Sequence, residues 1–150
     1  MAGLYYEDFE IGMEFKHALT RTVTEMDNIL FSALTHNPQP LHLDAEFSKN
    51  TEFGRQLVNS IYTLGLVIGV SVGDTTLGTT VANLGMTDVR FVNPVFHGDT
   101  VRSLTKVLEK RESRSRSDAG IVTFEHLGFN QRDQEVAYCK RAGLMRKRPA

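Results

Sequence analysis

The sequence predicts an α+β fold, an antiparallel sheet with its helices gathered on one side. Three observations carry this. Helical periodicity is confined to the first half of the chain, β-type segments divided by turn signals fill the second half, and between them Leu57 to Val72 reads as one buried apolar helix.

Taken in order, Phe15 to Val23 is β-branched and aromatic, without helix signals. Thr24 then offers an N-cap with Asp27 three residues on, and a helix starts there. Its apolar positions Met26, Ile29, Leu30, Ala33 and Leu34 form one amphipathic stripe, expected to end before Pro38 because the residue preceding proline avoids the α region. Asp44 is placed to cap a short turn through Phe47, and Gly54 marks a break. Asn59 or Ser60 is the natural N-cap of the apolar helix, which runs to about Val72. Gly65, Gly69 and Gly73 stand four apart on it, a bare face that a sheet wrapped around the helix could approach closely. The helix falls below the roughly 18 uninterrupted apolar residues of a membrane span. Four strands are predicted after it: Thr79 to Val92, Thr100 to Glu109, Ile121 to Asn130 and Val136 to Met145. Asn93-Pro94, His97-Gly98-Asp99, the polar run Ser113 to Gly120 and a hairpin loop at Asn130 to Gln134 separate them.

Size and composition fit one globular domain over 1–150, with 41% hydrophobic and 23% charged residues and no repeat or low-complexity tract. Seventeen basic against eighteen acidic residues leave no basic footprint, so neither nucleic acid nor a membrane surface is an expected partner. The single cysteine, Cys139, rules out an internal disulfide, and the start MAGLYYEDFEIG carries acids where a signal peptide carries bases. The expected compartment is the cytoplasm.

The segment FSALTHNPQPLHLD, Phe31 to Asp44, concentrates the candidate chemistry. His36, Asn37, Gln39, His42 and Asp44 alternate there with Pro38 and Pro40, whose fixed φ stiffens a loop leaving a helix end. This segment, with LVNSIYTLGLVIGVSV, VANLG and FVNPVFHGDTV, resembles the MaoC-like dehydratase family over nearly the whole chain. The fuller pattern, with VLEKRESRSR and GIVTFEHLGFNQ, is similar to its mesaconyl-CoA, itaconyl-CoA and methylmalyl-CoA hydratase or dehydratase branch. The resemblance implies a hot-dog fold, a sheet wrapped around a long central helix. It implies a homodimer or higher homo-oligomer without metal or redox cofactor, whose acyl-CoA substrate gains or loses water across its C2=C3 bond. The family's motif pairs an aspartate and a histidine five residues apart. The histidine falls on His42, but the aspartate falls on Asn37 and the glycine before it on His36. A histidine-glycine pair that opens the family's central helix is replaced by Asn59-Ser60.

Hydrating an enoyl thioester needs a base for water at C3, an acid for C2 and donors for the charge on the thioester oxygen. His42, titrating nearest neutral pH, suits both base and acid, and Asn37 can hold water or substrate through its amide but cannot ionise. Asp44 is either a support for the His42 tautomer or the cap of the next turn. The first N–H groups of the apolar helix, at Asn59, Ser60 and Ile61, are candidate oxyanion donors. His36 and Arg90 are candidates for a second substrate carboxylate, and Lys106, Lys110, Arg111, Arg114 and Arg116 form either a phosphate-binding run or a solvated face. His17, His97 and His126 look structural, and their scattered spacing predicts no metal site. A hot-dog acyl-CoA thioesterase and a non-catalytic acyl-CoA-binding module are the competing readings.

Overall fold

A computed structural model describes residues 3–149. The β-branched and aromatic stretch at 15–23 gives two short strands, β1 (Glu14–Lys16) and β2 (Arg21–Thr22). Both pair antiparallel with the later strand Thr100–Glu112, and residues 17–20 between them are irregular. Helix α1 (Glu25–Leu34) opens with a reciprocal cap: the Thr24 hydroxyl accepts from the Asp27 N–H, and the Asp27 carboxylate accepts from the Thr24 N–H. Short helices α2 (Pro40–Leu43) and α3 (Ala45–Lys49) follow, then the long α4 (Ser60–Thr75). Four strands complete the chain, β3 (Thr80–Arg90), β4 (Thr100–Glu112), β5 (Ala119–Phe129) and β6 (Glu135–Arg146), in the sheet order β1-β4-β5-β6-β3. Among the described residues no helix is long and apolar enough to cross a membrane.

Helix α4 lies on the sheet through Thr63, Leu64, Val67, Val70, Ser71 and Thr75. The close approach runs opposite to expectation. A Cβ on Gly65, Gly69 or Gly73 would meet nothing within 4 Å, so the glycine face points away from the sheet. The glycine that admits the helix is on β5 instead: a Cβ on Gly128 would lie 2.3 Å from Cγ2 of Val67.

Alternation along the strands builds two apolar clusters on the helix side. Val23, Val58, Val67, Val95, Val101, Val136 and Ala137 fill one end, and Tyr6, Phe9, Val107, Val122, Phe124 and Met145 fill the other. A polar layer lies between them. Asp74 accepts from His17 Nδ1 at 2.8 Å, Thr105 Oγ1 joins His17 Nε2 to His126 Nδ1, and Arg141 Nε donates to His126 Nε2. Burial, the Arg141 charge and then His17 hold the His126 pKa down to about 3.

The apolar stripe of α1 faces outward. Met26, Ile29, Leu30 and Leu34 are exposed, Leu34 at 71%, whereas Asn28 and Ser32 are fully buried. Leu84, Met86 and Val89 are likewise exposed on β3, an edge strand without a partner on its outer side among the described residues.

Candidate active site

Helix α1 stops because His36 takes a left-handed φ of 54° and the Asn37 N–H turns back to the Ser32 carbonyl. Pro38 and Pro40 carry the chain outward, Asn37 Oδ1 accepts from the Gln39 N–H at 3.1 Å, and Pro40 starts α2 at the position where a missing N–H costs nothing. Half-buried His42 rides on that single turn. Its Nδ1 donates to the Leu57 carbonyl at 2.7 Å. A carbonyl only accepts, so Nδ1 carries the hydrogen and the lone pair of the neutral ring sits on Nε2.

Asp44 does not orient the ring. Its Oδ1 accepts from the Phe47 N–H at 2.9 Å and caps α3, so the Leu57 carbonyl holds the His42 tautomer instead.

Asn28, which the sequence reasoning missed, ties the site together. Its Oδ1 accepts from the Asn59 N–H at 2.8 Å, and its Nδ2 faces the Leu57 carbonyl at 3.1 Å, the His42 carbonyl at 3.3 Å and His97 Nε2 at 3.0 Å. Two hydrogens serve three acceptors, so the carbonyl that holds His42 and the backbone that opens α4 hang on one amide. His97, accepting at Nε2, is kept below the usual histidine pKa by burial; Glu25 opposes this and Arg55 adds to it. Ser32, also missed, faces Asn59 Nδ2 from the next turn of α1 at 3.5 Å.

At the head of α4 the three candidate oxyanion donors separate. The Asn59 N–H is taken by Asn28, and the Ile61 N–H is taken by the side chain of Asn59 at 3.0 Å. The Ser60 N–H has no partner among the described residues, and it stands at the positive end of the helix. Ser60 lines a half-open cleft of about 360 Å³ with Leu57, Phe53, Thr63, Phe91 and Asn93. Leu57 is therefore both a wall of the cleft and the residue whose carbonyl fixes His42. His42 itself stands beside that lining rather than in it. Among the described residues no cluster of three or more His, Cys, Asp or Glu is placed to hold a metal ion.

The profile described as MaoC like domain matches residues 8–128. The chain belongs to the MaoC-like family. A mesaconyl-CoA hydratase of Cereibacter sphaeroides is 33% identical over 98% of this chain and 42% of its own length. A beta-methylmalyl-CoA dehydratase of Chloroflexus aurantiacus is 32% identical over 97% of this chain and 41% of its own. The chain thus spans about two fifths of those curated relatives. A solved monoamine oxidase regulatory protein from Archaeoglobus superposes with a TM-score of 0.86 at 35% identity, covering 99% of this chain and 98% of that one. The antiparallel sheet around α4 is the hot-dog fold that MaoC-like structures share.

Within this MaoC-like site the remaining sequence candidates scatter. Asn37 has its amide hydrogens free among the described residues, and its oxygen accepts one hydrogen bond, from the Gln39 N–H. His36 is exposed at the turn. Arg90 is committed elsewhere, pairing with Glu135 at 3.2 Å and stacking over Tyr138, so it does not enter the cleft. In the basic run Lys106 pairs with Glu14 and Arg116 with Asp118, Lys110 binds the Glu7 and Phe9 carbonyls, and Arg111 and Arg114 line a separate hollow at the β4–β5 hairpin. From Thr100 to Arg111 along β4 is roughly 36 Å at a strand's rise of about 3.3 Å per residue, so on one chain that hollow is remote from His42. No sequence signal marks Asn28 and Ser32 beyond their i, i+4 spacing opposite the apolar stripe.

Proposed function

We propose that this MaoC-like chain is a hydratase/dehydratase acting across the C2=C3 bond of a short acyl-CoA thioester. Water attacks C3 while His42 Nε2 removes its proton. The electron pair of the double bond moves toward the thioester oxygen, where the Ser60 N–H stabilises it. The imidazolium then returns its proton to C2, and dehydration is the reverse. One group acting as base and then acid suits a site that has Asn37 where the family carries an aspartate; the Asn37 amide hydrogens orient water or substrate. The single observation behind this reading is the 2.7 Å bond from His42 Nδ1 to Leu57 O, which leaves Nε2 free beside the cleft containing Ser60.

Branched dicarboxylyl thioesters of the mesaconyl, itaconyl or methylmalyl type are the substrates we favour, because two long relatives bear such names. Loss of enoyl-thioester absorbance with mesaconyl-, itaconyl- and crotonyl-CoA tests both levels. Turnover of the dicarboxylyl thioesters above crotonyl-CoA is expected, and turnover of none contradicts the reading. A non-catalytic acyl-CoA-binding role is favoured by Asn37 and by the regulatory name of the Archaeoglobus relative. Tight binding without chemistry in either direction would select it.

Self-association completes the proposal. Among the described residues the outer edge of β3 is unpaired and exposes Leu84, Met86 and Val89, and α4 leaves its glycine face open; a second copy of the chain would cover these surfaces.

A further inference from the structure

We propose that Arg55 is an anion-binding residue of the cleft, receiving an anionic group of the thioester ligand; this rests on the reading that the cleft takes an acyl-CoA. The Arg55 guanidinium lies 3.9 Å from the centre of the Phe96 ring, well inside the range of a cation–π contact. Phe96 is held in turn by its backbone bridge to Leu57 and by the Phe53 ring at 6.3 Å. Leu57 and Phe53 are both cleft walls, so the stack holds a planar cation beside the lining, which includes neither Phe96 nor Arg55 itself, and two residues along the chain from the carbonyl that orients His42.

What distinguishes Arg55 is that its donors are unspent. It has neither a carboxylate within 4 Å nor a hydrogen bond among the described residues, although Glu52 precedes it closely in sequence. Arg21 on the same side of the molecule is paired with Asp27, and Arg132 with Asp99. Arg111, Arg114 and Arg146, which have no carboxylate partner among the described residues, gather around the β4–β5 hairpin at the other end. The Arg55 charge nevertheless reaches the site, because it helps to depress the neighbouring His97 while Glu25 acts in the opposite sense. A guanidinium held flat by an aromatic ring, with its N–H edge free, is pre-organised for the two oxygens of a carboxylate or phosphate. Its place near His42 favours the second carboxylate of a dicarboxylyl group over the CoA phosphates, and fills the role that Arg90 does not.

Calorimetric titration with unreactive saturated ligands separates these cases, because binding is read without turnover. Succinyl-CoA carries the extra carboxylate, butyryl-CoA lacks it, and butyryl-N-acetylcysteamine lacks the phosphates as well. Arg55→Gln is expected to weaken succinyl-CoA roughly tenfold or more while leaving butyryl-CoA unchanged, and Arg55→Lys to recover part of the loss. Equal weakening of both CoA thioesters, with the N-acetylcysteamine thioester untouched, identifies the phosphates as the anion. Unchanged affinity for all three ligands, equal loss for all three, or no binding by the wild-type protein overturns the proposal. Wild-type binding without hydration of any enoyl-CoA would sink the hydratase reading alone.

Discussion

His42 donates one ring hydrogen to the Leu57 carbonyl at 2.7 Å, and its chemistry depends on the nitrogen left over. His42→Ala removes the proposed base and acid together, so turnover should fall by about 10²- to 10⁴-fold with the fold retained. Circular dichroism and the enoyl absorbance assay on the same sample check this, and wild-type rates would remove His42 from the mechanism. The histidine and its loop were legible because prolines and hydrogen-bonding residues crowd one short segment whose pattern matches a family motif. Asp44 was ambiguous because one carboxylate suits both a helix cap and a histidine partner, and only coordinates place its oxygen on the Phe47 N–H. Arg55 left no trace in the sequence, since its meaning lies in the absence of a spatial partner.

Among the elements, α1 shows best where pattern reading fails. The helix and its Thr24 cap follow from the sequence, but its apolar stripe faces outward and its buried face is polar, with Asn28 and Ser32 turned to the site. Periodicity finds a stripe without saying what covers it, and here the chain's own core does not. Asn28→Ala should strand the Asn59 N–H and loosen the Leu57 carbonyl. The expected cost is about 2 to 3 kcal/mol in urea denaturation, with a fall in turnover although Asn28 need not touch substrate. Unchanged stability would mean that water replaces the amide without penalty. The extent of α4 was legible to within a turn, because Asn59 caps it as its side chain predicts. Its glycines misled because their spacing defines a face, and only packing decides what lies opposite.

Across the whole molecule, the antiparallel sheet agrees with the residue pattern and its wrapping around α4 with the fold that the family resemblance implies, whereas the polar layer between the two apolar clusters was hidden in histidines that looked merely structural. That layer makes a stability prediction. His126 titrates near 3 when folded and near 6.5 when unfolded, so below 6.5 the unfolded chain binds the extra proton and stability falls as pH drops toward 3. Linkage puts the loss between pH 7 and 4.5 at about 2 to 3 kcal/mol, and His126→Gln should remove that part of the slope in urea titrations. A slope unchanged in the variant would assign acid sensitivity elsewhere. Self-association belongs to this scale too. The chain, 16.8 kDa, should sediment as a dimer or larger assembly, and Met86→Glu on the open β3 edge should shift it toward monomer. Monomeric wild-type protein would leave those open surfaces unexplained. The most direct measurement for the chemistry is a crystal structure with butyryl-CoA bound. The thioester oxygen should lie about 2.7 to 3.1 Å from the Ser60 nitrogen, with C3 facing His42 Nε2 across room for one water. An acyl group seated elsewhere, with Ser60 and His42 on different sides of it from any reacting carbon, would contradict hydration at this site.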